Sequence, residues 1–92
     1  MRETDTGILD PDATLDWTFD WTAWLADGDT ITSHHLIPDG ITISQHAHTA
    51  TTVTTWLSDP TPGKTWASVT CRITTAQGRT DDRTLQLRIE NR

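Results

Sequence analysis

Cysteine is almost missing: Cys71 stands alone among 92 residues. An internal disulfide is therefore excluded, and the fold needs no oxidising compartment. Tyrosine is absent and phenylalanine occurs once, so the aromatic bulk rests on five tryptophans. Basic residues are scarce, with 7 Lys and Arg against 13 Asp and Glu and a formal net charge of −6. No basic face is available for nucleic acid, and no basic amphipathic stretch for anionic lipid. No run approaches the roughly 18 apolar residues of a membrane helix. The opening Met1-Arg2-Glu3-Thr4-Asp5-Thr6-Gly7 is polar and lacks the apolar centre of a signal peptide. These absences predict a protein made and folded in a cytoplasm.

What is present is alternation. Leu15-Asp16-Trp17-Thr18-Phe19-Asp20-Trp21-Thr22 sets a large apolar residue against a small polar one for eight positions. Successive side chains on a strand point to opposite sides, so this run has one greasy and one wet face. Leu85-Gln86-Leu87-Arg88-Ile89 repeats the pattern near the other end, and the chain is rich in threonine, with 20 in 92 residues. Strands are expected over 14–21, 30–37, 41–44, 51–57, 66–75 and 79–89, with residues 45–49 as a loop or an irregular edge. Pro38-Asp39-Gly40, Asp59-Pro60-Thr61-Pro62-Gly63-Lys64 and Ala76-Gln77-Gly78 supply the turns. Asp20 is placed to cap a single helical turn around Trp24, and Gly28 to end it.

About seven short strands with turns every 8–12 residues point to an all-β, immunoglobulin-like β-sandwich. Residues 14–92 make that domain. Residues 1–13 read as an extended N-terminal arm, with one apolar pair, Ile8-Leu9, that either stays disordered or lies along a neighbour. The charge is also divided: residues 1–46 hold nine acids and one base, whereas residues 47–92 hold four acids and six bases. That split serves solubility or sets the chain against a partner of opposite sign.

Chemistry-bearing patterns are few. His46-Ala47-His48 has metal-ligand spacing on a strand, where i and i+2 share a face, and one of His34 and His35 could join them. Surface histidines are the plainer reading, so His46 and His48 are only weak metal candidates. Asp27-Gly28-Asp29 and Asp10-Pro11-Asp12 lack the register and closing Glu of a calcium loop and read as turn aspartates. Cys71 falls mid-strand among Val69 and Ile73, as a small inert hydrophobe. No nucleophile–base order or phosphate loop stands out, so neither enzyme activity nor a cofactor is expected. Trp56 and Trp66 fall on the wet parity of their strands, where exposed Trp is typical of binding hot spots. Arg79 and Arg83 alternate on the last strand as a solvated ladder or a charged contact. The partner-binding candidates are thus Ile8, Leu9, Trp56, Trp66, Arg79 and Arg83.

Two segments carry a resemblance. Residues 10–31, Asp10-Pro11-Asp12-Ala13-Thr14-Leu15-Asp16-Trp17 and onward through Trp24 to Ile31, resemble the opening of a family of short tailed-bacteriophage virion proteins. Residues 72–85, around Ala76-Gln77-Gly78-Arg79 and Asp81-Asp82, look like that family's closing hairpin. The chain departs from it at Ser33-His34-His35-Leu36 and at Trp66-Ala67, where the family's aromatic is one position displaced. The resemblance implies a non-enzymatic structural protein, a capsid decoration or a fibre–tail adaptor. Its expected partners are major capsid, tail or fibre proteins, met in many copies of a symmetric assembly. The alternative reading is a small carbohydrate-binding domain with Trp56 and Trp66 as stacking platforms.

Overall fold

A computed structural model describes residues 3–90. Their seven strands are β1 (Glu3–Leu9), β2 (Leu15–Asp20), β3 (Ile31–Asp39), β4 (Thr42–His48), β5 (Thr52–Ser58), β6 (Trp66–Thr75) and β7 (Thr80–Ile89). They form a four-stranded sheet in the order β1-β7-β6-β3 and a three-stranded sheet in the order β2-β5-β4. The chain is all-β, and the inward positions of both sheets share one core. Phe19 on β2 and Val53 and Leu57 on β5 meet Val69, Cys71 and Ile73 on β6 and Leu85 and Leu87 on β7. The alternation of β5 and β6, buried at every second residue, is what commits each strand to one face. Cys71 is buried with them, and burial pushes its thiol up to about 12, which leaves it inert.

Two expectations change and a third is narrowed. Residues 3–9 are not an extended arm but β1, paired parallel to β7 from Glu3 opposite Arg83 to Leu9 opposite Ile89. Met1 and Arg2, the first residues of the expected arm, lie outside the described residues. Leu9 is buried in the core at 1% exposure, and Gly7 lets the strand lie close. A Cβ there would stand 3.1 Å from Leu87 Cδ2. Second, β3 runs through Pro38 to Asp39, which the ladder tolerates because β3 is an edge strand. Third, of the loop and the irregular edge expected over 45–49, the edge is found: residues 45–48 continue β4, an edge strand with a bulge. A bulge between Ile43 and Gln45 reverses the facing of β4, so Ile43 and His46 both point inward although three residues apart.

One end of the molecule is closed by a compact turn. Thr22 donates its backbone N–H and its hydroxyl to Asp20 Oδ1, at 3.0 and 2.6 Å. Trp24 and Leu25 then bond back to the Trp21 carbonyl as a single helical turn. Trp21 and Trp24 meet edge to face at 5.4 Å. Asp29, the third residue of Asp27-Gly28-Asp29, is buried and accepts the N–H groups of Thr30 at 3.0 Å and Gln77 at 3.1 Å. It stitches the β2–β3 connection to the β6–β7 turn, where Gly78 takes the positive φ of 84°. Burial pushes the Asp29 pKa up, yet bonds from Thr75, Gln77 and Thr30 outweigh it and hold the carboxyl below its usual range.

Candidate partner interface

Paired residues on neighbouring strands point to the same side of a sheet, so the register maps the outer face of the four-stranded sheet. One row crosses it as Ile8, Arg88 and Trp66. The next runs Thr6, Gln86, Ser68 and Asp39, and the third Thr84, Thr70 and Ile37. The exposed large hydrophobic residues Ile8, Trp66 and Ile37 therefore share one face, at 44%, 51% and 41% exposure. An open depression of about 470 Å³ lies beside Trp66, with Lys64, Ala67 and Gln86 among its walls. Threonine, serine and glutamine lie between the apolar residues, and Arg88 and Asp39 stand in the same rows, so the anchors sit in a polar field that carries paired charges.

The other sequence candidates are elsewhere. Leu9, next to Ile8, points inward and fixes β1 to the core. Trp56 pairs with Asp16 and Gln45 and lies half-buried on the outer face of the three-stranded sheet. Arg83 lies over the Trp21 ring at 4.7 Å and donates to the Asp20 carbonyl, and Arg79 lies over Trp24 at 4.6 Å. Both arginines hold the chain's own closed end together, each by a cation–π contact. Asp82 pairs bidentately with Arg72 at 2.8 and 3.0 Å across the β6–β7 ladder.

The histidines meet where the edge strands of the two sheets face each other. His34 pairs with Ile73 on β6, and His46 and His48 pair with Thr55 and Val53 on β5. All three are inward positions. His34 Nδ1 is 2.5 Å from His48 Nδ1, and its Nε2 is 2.8 Å from His46 Nδ1. Burial, followed by the neighbouring His48, His46 and His35, lowers the pKa of His34. A neutral chain satisfies both contacts, with His48 donating to His34 and His34 donating to His46. Sequence spacing pointed to the His46–His48 pair; His34 came from another sheet, and the pairing of β3 with β6 was needed to place it.

A family model described as podophage GP4 fiber-tail adaptor protein gp77 matches residues 9–88. The chain belongs to this family. A search of curated proteins finds no match. As a member, the chain is a non-enzymatic structural protein of a tailed-phage virion, of the fibre–tail adaptor type. Among the described residues no group of three or more His, Cys, Asp and Glu could hold a metal ion. The match begins at Leu9, the last residue of β1, so the rest of that strand lies outside the shared part.

Proposed function

We propose that this adaptor seats against a neighbouring virion protein through the outer face of its four-stranded sheet, with Ile8, Ile37 and Trp66 as anchors. The observation that carries the reading is their presence on one face, two of them in a single row with Arg88. Burying a large side chain of this kind contributes about 1.5–3 kcal/mol, and Trp and Arg are enriched among residues that dominate interfaces. Residues 1–13 contribute through Ile8, and β1 presents it. Leu9 acts from within the core, and Arg79 and Arg83 pack on the closed end, so all three help hold the strands that carry the face. Many copies in a symmetric particle would add avidity to a modest single contact.

The strand order supports an immunoglobulin-like sandwich as the scaffold. β2-β5-β4 and β3-β6-β7 follow the order of the two sheets of that fold, with the first strand moved to the second sheet. A carbohydrate platform built from Trp56 and Trp66 together has no support, because the two lie on outer faces of different sheets.

The test adds purified protein to particles that lack it. Ile8→Asp and Trp66→Ala should each reduce occupancy at least tenfold while the melting temperature stays near wild type. Trp56→Ala, on the other sheet, should leave occupancy unchanged. Full occupancy by the Ile8→Asp/Trp66→Ala double variant would overturn the assignment of the face.

A further inference from the structure

We infer that Trp56, Asp16 and Gln45 form a binding site for a neutral hexopyranose sugar on the outer face of the three-stranded sheet. β5 is the central strand of that sheet, between β2 and β4. Trp56 lies opposite Asp16 on β2 and opposite Gln45 on β4, so the three make one row across the face. Neighbouring strands stand about 4.7–4.9 Å apart, which sets Asp16 and Gln45 about 10 Å from each other with Trp56 between them. That span suits one six-membered ring and the hydroxyls at its edge. Trp56 is half-buried and keeps part of its surface open, and both of its neighbours in the row are exposed.

The β4 bulge falls at this row. Ile43 pairs with Leu57 and Gln45 with Trp56, so Ser44 is the extra residue. Regular alternation from Ile43 would turn Gln45 inward. The bulge turns it out beside Trp56, and bulges recur next to functional sites, where they re-aim a side chain. The hydroxyls nearby are already engaged. Ser44 donates to the Trp56 carbonyl at 3.4 Å, and Thr18 and Thr54 in the next row bond each other at 3.0 Å. Asp16 and Gln45 are different: among the described residues, no hydrogen bond or ion pair uses their side chains.

The chemistry of the row selects the ligand. C–H groups on one side of a pyranose pack on an aromatic ring, whose face is the negative pole of its quadrupole. Sugar hydroxyls both donate and accept; the Asp16 carboxylate accepts, and the Gln45 amide does both. Hydrogen bonds to an ionised carboxylate are the stronger kind. β2, β4 and β5 contain no Lys or Arg, so the face offers no such cation to a uronate, sulfate or phosphate. A lone ammonium or guanidinium would use Trp56 and Asp16 but leave the re-aimed Gln45 without a role. One ring with a few hydrogen bonds gives about millimolar affinity, which repeated copies in a particle raise. The site lies on the other sheet from Ile8, Ile37 and Trp66 and stands whether or not that face docks.

The experiment titrates the full chain with cellotetraose, maltotetraose and β-1,4-galactotetraose, each to about 20 mM, well above a millimolar Kd. Indole and side-chain amide signals are followed by NMR. At least one of the three should shift the Trp56 indole and the Gln45 amide together and to saturation, leaving the Trp66 indole in place. These wild-type shifts need no variant to fold. Trp56→Ala should weaken binding of that sugar at least tenfold, Asp16→Asn and Gln45→Ala about fivefold each, and Trp66→Ala not at all. Tetragalacturonate should bind at least tenfold more weakly than the neutral sugar. No saturable shift of Trp56 with any of the three would overturn the inference, and so would equal binding of tetragalacturonate. A saturable Trp56 response to acetyl-lysine amide in place of the sugars would overturn it in favour of a cationic partner.

Discussion

The two side seams between the sheets are closed by opposite chemistry. Where β7 and β1 face β2, Arg83 reaches across to the Asp20 carbonyl and lies over Trp21, and Gly7 admits Leu87 with Trp17 close behind. Where β3 faces β4, three histidines in contact share the inward positions with Leu36 and Ile43, which pack against the core. The first seam is sealed by apolar area and one well-placed cation, which act at every pH the fold survives. The second is held by neutral rings whose contacts depend on where protons sit. Stability should therefore be concentrated on one side, and sensitivity to conditions on the other.

Substitutions at the closed seam and its capped end should have the largest effects. Trp21 is 1% exposed and Phe19 0%, and truncating either to Ala should cost about 3–5 kcal/mol, a large part of the stability of a domain this small. Leu9 and Ile8 sharpen the contrast inside two residues. Leu9→Ala should cost about 2–5 kcal/mol, whereas Ile8→Ala, on the outer face, should stay within about 0.5 kcal/mol. Urea denaturation of both variants checks this. Equal losses would mean that β1 does not dock as described.

Arg83→Ala comes next. It removes a cation–π contact of about 0.5–2 kcal/mol together with a hydrogen bond, and Lys in its place should recover only part of the loss, since an ammonium lacks the planar fork. At the capped end, Asp29 gives a pH signature. Its folded pKa lies below the ordinary value of 3.8, so its contribution is fully present above that value and is lost as pH falls through the lower folded pKa. Asp29→Asn should be less stable than wild type at pH 7, and the gap should narrow in a melting series taken down to pH 2.

Much of this was legible in the residues, and what was missed has definite causes. The inward sets of β2, β5 and β6, and of β7 from Leu85 onward, follow alternation, so Phe19, Val53, Val69 and Leu85 could be placed without coordinates. The two edge strands could not be read in this way. Bulges between Ile31 and Ser33 and between Ile43 and Gln45 shift the parity part-way along each. Residues 45–48 therefore read as either a loop or an irregular edge, and the choice between His34 and His35 as the neighbour of His46 and His48 stays open in the sequence. β1 escaped for another reason: its pairing is parallel and spans the whole chain, and Glu3-Thr4-Asp5-Thr6-Gly7 has no apolar member until Ile8. Arg79 and Arg83 had the spacing of a surface ladder, and only the turn that brings Trp21 and Trp24 beneath them shows that they pack on the chain's own closed end.

The smallest expected effect lies at the histidine seam and gives the finest test of the comparison. Protonating His34 would set its Nδ1–H against the N–H that His48 already points at it, and His46, His48 and His35 are the titratable groups that face it. Its folded pKa is lowered from 6.5, so the unfolded chain binds the proton more readily. Stability is then complete above pH 6.5 and declines as pH falls below it, levelling off once the folded form is protonated as well. Asp20 and Asp29 are held below 3.8, so both stay charged throughout a series from pH 7.5 to 5. The melting temperature should fall modestly over this range, by less than the Arg83→Ala loss. His34→Gln should flatten the slope and cost little at pH 7.5, since a half-exposed neutral ring contributes little packing. An Arg83→Ala variant should melt lower throughout and keep the wild-type slope. If His34→Gln kept that slope as well, the protons that weaken the fold would be binding elsewhere, and the two seams would not divide stability from sensitivity.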